Sequence, residues 1–303
     1  MSGKSPQLLY GMRCILPSSD PIIRIGCCKQ MPELPEVENV RRGLEKLVRN
    51  KKILEIESSY PRMVLTGFEV LKKELEGQVI KDIQRRGKYL LFDFGQWTLI
   101  SHLRMEGKYR VEPLDFVKQK HDHVFVKFSD AALIYADVRK FGTWELLKSQ
   151  DVERYFISKK IGPEPSFETF DEGIFAEKLK KSKKKIKPYL LDQTLVAGLG
   201  NIYVDEVLWR SQVHPEMLAS DLSESQIHRI HDYTIDVLQT AVDRGGSSIR
   251  TYKNAMGEEG SMQELLMVYG KQGQLCPNCQ HAVIEKIKVA GRGSHFCPYC
   301  QKV

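Results

Sequence analysis

The sequence predicts an α+β protein: an N-terminal antiparallel β-sandwich or barrel, then a helical part that ends in a four-cysteine metal ribbon. Three observations carry this. Eight short β-branched or aromatic runs crowd residues 53–147, the periodicity turns helical beyond Gly162-Pro163-Glu164-Pro165, and two Cys-x2-Cys pairs close the chain. With 303 residues the chain also exceeds the size at which one core usually stops growing, so two domains are expected.

Residues 1–30 show no helical or strand period and contain three prolines. The apolar stretch from Leu8 to Leu16 is broken by Gly11 and Arg13, so it makes no secretory signal. They read either as a disordered leader or as the product of a start codon assigned upstream of Met31, and the second reading is favoured. From Leu34 the apolar residues Leu34, Val37, Val40, Leu44 and Leu47 fall at helical spacing. The strands then follow as Ile53–Glu57, Val79–Ile83, Tyr89–Phe94, Trp97–His102, Lys108–Val111, Val124–Phe128, Leu133–Asp137 and Thr143–Leu147. Strands this short and frequent suit antiparallel pairing rather than βαβ units.

The dense punctuation at residues 162–165 marks a domain boundary. Seven lysines among the ten residues Lys178–Lys187 read as a solvated helix face or loop. A helix is expected over Ile202–Ser211. Ser223 with Gln226 forms a capping box for another, running to about Val242 and ended by Gly245-Gly246. Ser247–Ser261 reads as a mobile loop.

The net charge is +7. Residues 1–30 hold four basic and one acidic residue, which leaves +4 for the remainder, a mild sign of a polyanionic partner. No apolar run is long enough to span a bilayer. Of seven cysteines, Cys14, Cys27 and Cys28 lie in the first thirty residues and four in the last thirty, with none between. That distribution argues for a reducing compartment and a local metal site rather than a disulfide framework. Cys276-x2-Cys279, seventeen residues, then Cys297-x2-Cys300 is the spacing of a zinc ribbon whose four thiolates close the coordination sphere, so one structural zinc per chain is expected. Disulfides, or His281 or His295 replacing one thiolate, are the alternatives. Lys286, Lys288 and Arg292 decorate the hairpin between the pairs and suit either solvent or a nucleic-acid groove.

Met31-Pro32-Glu33-Leu34-Pro35-Glu36 looks like a chain start. With Met31 removed, Pro32 presents a secondary amine that can act as a nucleophile. Within a chain the same nitrogen is an amide and cannot attack.

Together these residues resemble the formamidopyrimidine-DNA glycosylase family, from Met31 to the C-terminus. The anchors are Met31-Pro-Glu-Leu-Pro-Glu-Val37, Arg86-Gly-Lys-Tyr89, His102-Leu-Arg-Met105, His121-Asp-His123, Asp137-Val-Arg-Lys-Phe-Gly142, Gly198-Leu-Gly-Asn-Ile202 and the ribbon. The resemblance implies a β-sandwich flanked by helices as the catalytic domain (31–162), a helical DNA-binding domain with a helix, two turns and a helix (163–270), and a zinc finger (271–303). It implies excision of oxidised purines, 8-oxoguanine and formamidopyrimidines, from double-stranded DNA, followed by AP lyase chemistry through a Schiff base on Pro32.

In that scheme Glu33 moves a proton at the sugar ring oxygen, Glu36 positions the opened sugar, and Lys88 and Arg292 act at the phosphates beside the lesion. His123, Asn201 and Lys184 contact DNA, while Met105, Arg139 and Phe141 fill the gap left by the flipped nucleotide. Met105 and Phe141 read as core residues on the sequence alone. The region Gly257–Gly260 is expected to close over the base. A monomer in the bacterial cytoplasm, with no membrane association, completes the expectation. Two rivals remain: a sister enzyme for oxidised pyrimidines, which typically has Gly where Leu34 stands, and a non-catalytic zinc-bearing DNA-binding protein if the leader is retained.

Overall fold

A computed structural model of the chain describes residues 31–247 and 260–302. Helix α1 (Leu34–Val48) starts behind Glu33, whose backbone N–H donates to Glu36 Oε2 at 2.9 Å in a capping box. Its apolar face, Val37, Val40, Leu44 and Val48, is buried in the main core, as the spacing predicts. The strands are β1 (Glu55–Ser58), β2 (Asp82–Arg86), β3 (Tyr89–Asp93), β4 (Trp97–His102), β5 (Lys108–Glu112), β6 (Asp122–Lys127), β7 (Ala132–Ala136) and β8 (Thr143–Lys148), with α2 (Phe68–Leu75) between β1 and β2. They form two antiparallel four-stranded sheets, ordered β1-β6-β7-β5 and β2-β3-β4-β8. This resolves the choice between sandwich and barrel.

The core lies between the sheets, where Phe92, Leu99, Tyr109, Val126, Leu133, Tyr135 and Trp144 meet. Strand β3 is buried on both faces because α3 (Val152–Ser158) covers its outer side with Phe156 against Leu91 and Ile100. That cover explains its continuous apolar run. Both α2 and α3 go beyond the sequence expectation: each is eight residues or fewer, too short for its period to stand out. The second strand also lies three residues later than its apolar run suggested, since Val79 makes only an isolated bridge to Lys52.

Beyond the punctuated segment come α4 (Glu172–Lys180), α5 (Ile186–Leu191), α6 (Asn201–Arg210) and α7 (Glu224–Asp243). Helix α7 begins on the expected capping box: Ser223 Oγ accepts from Gln226 N, and Gln226 Oε1 accepts from Ser223 N. Gly245 and Gly246, both at positive φ, end it. The final hairpin is β9 (Glu285–Val289) and β10 (Arg292–Phe296). Most of the expected loop at Ser247–Ser261 lies outside the described residues. Among the described residues no helix is long and apolar enough to cross a membrane.

The lysine run departs from its solvated reading at one position. Lys184 is exposed and pairs with Asp192. Lys187 is wholly buried, its ammonium 2.6 Å from Asp205 Oδ1, 2.7 Å from Ser294 Oγ and 3.1 Å from the Gly293 carbonyl. This buried ion pair ties α5 and α6 to the terminal hairpin.

Candidate active site

The sheet β2-β3-β4-β8 and the helical part meet at the N-terminus of α1. Leu34 N–H donates to the Gly198 carbonyl at 3.1 Å, and Ala197 N–H to the Pro163 carbonyl at 2.8 Å. At this junction opens a cavity of about 510 Å³ whose walls include Met31, Lys88, His102, Met105, Asn201 and Arg292. Pro32, next in the chain after Met31, is buried.

The Glu33 carboxylate also reaches into the N-terminus of α6. Oε2 accepts from Gly200 N at 2.6 Å, and Oε1 from Ile202 N at 2.8 Å. Those amides are the orphan donors of a helix start, a natural anion seat. The approach demands Gly200: a Cβ there would lie 2.3 Å from Glu33 Cδ. Burial pushes the Glu33 carboxyl up to about 7. The Lys88 charge opposes this, the Glu36 charge adds to it, and the amides of Ile202 and Tyr203 offset part. Glu36 is also buried and raised by burial, against hydrogen bonds from Tyr203 Oη (2.6 Å) and Ser247 N (2.7 Å) to its Oε1.

Lys88 sits on the β2–β3 turn, which Glu164 of the interdomain segment fastens by accepting from Gly87 N, Arg85 Nη1 and Arg86 Nη1. Its ammonium donates to the Leu199 carbonyl at 2.7 Å. Burial pushes its pKa down; Glu33 and Glu36 oppose that, and Arg292 reinforces it. The turn and the Gly198–Gly200 loop thus bring Glu33 and Lys88 into one electrostatic unit. Asn201 Nδ2 donates to the Gly293 carbonyl at 3.0 Å, while its buried Oδ1 has no hydrogen-bond partner among the described residues.

The structure separates the remaining candidates. Met105 is half-buried on the cavity wall, and Arg139 and Phe141 are exposed on the β7–β8 turn, the guanidinium 4.5 Å from the ring centroid. The core reading of Phe141 therefore fails. His123 is buried, with Nε2 2.8 Å from the Asp137 carbonyl, and a ring so placed has no face for a phosphate. Its half-buried neighbour His121 is the member of the pair at the surface. Sequence reasoning assigned no role to two further wall residues. His102 is held neutral, its pKa pressed down to about 3 by burial and then by Arg104 and Lys88. Gln193 bridges Gly198 N and the Leu199 carbonyl. His102 lies in the His102-Leu-Arg-Met105 motif; Gln193 carries no local signal.

The four ribbon sulfurs lie within 4.8 Å of one another, with Cys276–Cys300 at 3.9 Å and Cys279–Cys297 at 3.8 Å. A disulfide requires about 2 Å. A zinc tetrahedron with bonds of about 2.3 Å has edges near 3.8 Å, so the thiols fit that ion. His295 is turned to Asp205 and His281 packs edge-on against Tyr299, which leaves four sulfurs as the donor set. Trp209 Nε1 and Asn278 Nδ2 donate to Cys276 and Cys300.

A two-sheet sandwich and a helical domain that share a cavity, followed by a four-thiol ribbon, define the architectural class. Sequence profiles extend the definition: a formamidopyrimidine-DNA glycosylase N-terminal domain matches residues 31–144, the H2TH domain of the same enzymes 161–253, and a zinc finger found in FPG and IleRS 273–303. A formamidopyrimidine-DNA glycosylase of Lactococcus lactis is 64% identical over 273 residues, 90% of this chain and all of the relative. The Lactococcus lactis Fpg in complex with an abasic site containing DNA is 62% identical with a TM-score of 0.86, covering 89% of this chain and 100% of that one. MutM in complex with carbocyclic 8-oxo-G containing DNA is 63% identical with a TM-score of 0.86, covering 90% and 100%. The chain belongs to the formamidopyrimidine-DNA glycosylase family.

Proposed function

We propose that this chain is a DNA-repair glycosylase that excises oxidised purines from duplex DNA and then cleaves the strand as an AP lyase. The carrying observation is the placement of Glu33, the residue after Pro32: it is buried at a helix N-terminus beside Lys88, with a carboxyl raised to about 7. A carboxyl of that kind can hold a proton near neutrality and give it up in the reaction.

The active form begins at Pro32. The N-terminal family profile starts at Met31, and the full length of the Lactococcus lactis relative is accounted for by 273 residues of this chain. The Pro32 amine attacks C1′ of the flipped nucleotide. The C1′–N bond breaks, the base leaves with the bonding electrons, and Glu33 protonates the ring oxygen as the sugar opens to an iminium. That iminium acidifies the C2′ protons, so β-elimination and then δ-elimination expel the two phosphates.

Lys88 and Arg292 neutralise the phosphates near the lesion, Asn201 and Lys184 contact the backbone, and Glu36 orients the opened sugar. Extrusion of the nucleotide costs a few kcal/mol of stacking and pairing, which insertion of Met105, Arg139 and Phe141 offsets. One zinc in the ribbon is structural, because four thiolates leave no open position. Leu at position 34, where the pyrimidine-specific sister enzyme typically has Gly, favours the oxidised-purine reading.

Borohydride trapping on an 8-oxoguanine duplex tests the proposal. A covalent adduct that Pro32→Gly greatly weakens is expected. Strand cleavage at full rate by protein that retains residues ahead of Pro32 overturns it.

A further inference from the structure

The turn between β7 and β8 carries four exposed residues in a row, Val138 to Phe141, between buried Asp137 and buried Gly142. Phe141 keeps 51% of its surface open to water, which a free loop would avoid by collapse. One carboxylate prevents that collapse. Asp137 Oδ1 accepts from Arg139 N at 2.9 Å, and Oδ2 accepts from Phe141 N at 2.9 Å and Gly142 N at 2.8 Å.

The clamp is itself anchored from beneath. Asp137 N–H donates to the His121 carbonyl at 3.0 Å, and the His123 ring bonds the Asp137 carbonyl at 2.8 Å. At Gly142 a Cβ would fall 1.6 Å from Tyr135 Oη, so only glycine lets the turn close onto the sheet. Lys140 adopts a left-handed φ of 56°, a conformation that the three flanking amide bonds enforce.

We infer that Asp137 is a positioning residue that sets Arg139 and Phe141 in their inserting geometry before DNA arrives, with His123 bracing it from below. This rests on the reading of those two side chains as fillers of the gap opened by the flipped nucleotide. A preformed turn avoids ordering the side chains during binding, and a buried carboxylate bonded to three amides does so without presenting negative charge to a phosphate backbone.

The test compares Asp137→Ala and Asp137→Asn with wild type on a duplex bearing a stable abasic-site analogue opposite 2-aminopurine, and on the same strand unpaired. Duplex affinity should fall about tenfold in Asp137→Ala, the cost of ordering two side chains at binding rather than before it. Asp137→Asn, which keeps one accepting oxygen, should lose less. The 2-aminopurine signal of base unstacking should fall in step, and single-strand affinity, where no gap exists, should stay within about twofold. Equal losses on both substrates make Asp137 merely structural and overturn the inference, as does an unchanged duplex affinity. Phe141→Ala separates this from the underlying reading: if it too leaves duplex affinity and fluorescence untouched, the gap-filling reading itself fails.

Discussion

Glu33→Gln removes the proton of the proposed mechanism and keeps nearly the shape of the side chain. Glutamine has one accepting oxygen where the carboxylate has two, so it cannot serve both Gly200 N at 2.6 Å and Ile202 N at 2.8 Å. One buried N–H then faces an NH2 group, at a cost of about 1–3 kcal/mol. Against that, the substitution abolishes a buried titration. The folded-state carboxyl is raised from 4.5 to about 7, worth on the order of 3 kcal/mol between its two protonation states. Because the folded state holds this proton more tightly than the unfolded chain, the associated stability is complete below pH 4.5 and is lost as pH rises through 7. The wild-type melting temperature should therefore fall across that window more steeply than that of Glu33→Gln.

For catalysis, loss of a general acid should lower single-turnover release of 8-oxoguanine about 10²–10⁴-fold. The wild-type rate should also decline above pH 7, by about tenfold per unit once Glu33 is deprotonated, whereas the residual rate of the variant should lack that limb. Incision of a preformed abasic site supplies the control, since its sugar already samples the open aldehyde and needs no proton at the ring oxygen. Equal loss of base release and abasic incision would refute the acid role and leave Glu33 as a helix cap.

Four further outcomes follow from the same geometry. Gly200→Ala puts a Cβ 2.3 Å from Glu33 Cδ and should slow base release at least about tenfold while affinity for abasic DNA persists, as single-turnover kinetics and anisotropy would register. Lys187→Met strands the buried Asp205 carboxylate and should cost about 3–5 kcal/mol in urea denaturation. Cys297→Ala opens the thiol cluster and should abolish stoichiometric zinc by metal analysis, and damaged-duplex binding in gel shift, because the hairpin that carries Arg292 loses its staple. Pro32→Gly should lower the yield of borohydride-trapped adduct at least about tenfold, by replacing the secondary amine proposed to form the iminium.

The sequence made local features legible and non-local ones not. The capping box at Ser223 and Gln226, the amphipathic face of α1 and the two cysteine knuckles are set by residues within four positions of each other, and each is where the spacing placed it. The seat of Glu33 is made by amides 167 to 170 positions away, which no window could connect. Lys187 sits in a run of lysines that mostly do face solvent, and its partners, Asp205 18 positions on and Gly293 and Ser294 106 and 107 positions on, lie beyond any local window. For Phe141 the default of an aromatic in the core lost to a carboxylate that holds its backbone outward. His123 shows the converse: a histidine inside a motif shared with nucleic-acid enzymes, spent on bracing a turn.

One arrangement recurs around the cavity and explains how an acid-rich junction can serve a polyanion. Glu33 gathers amides at residues 200–203, Asp137 those of Arg139, Phe141 and Gly142, and Glu206 those of Met267, Val268 and Tyr269 at 3.0, 2.9 and 2.8 Å. Each carboxylate is buried, and each orders a loop that contributes a cavity wall or an exposed turn. Among the described residues the wall holds Lys88, Arg104 and Arg292 and no carboxylate. Ordering loops with basic side chains would leave those cations already neutralised and unable to displace counterions from DNA. By directing anions inward onto backbone donors, the fold rigidifies the site and leaves the cations of the cavity wall to set its outward charge.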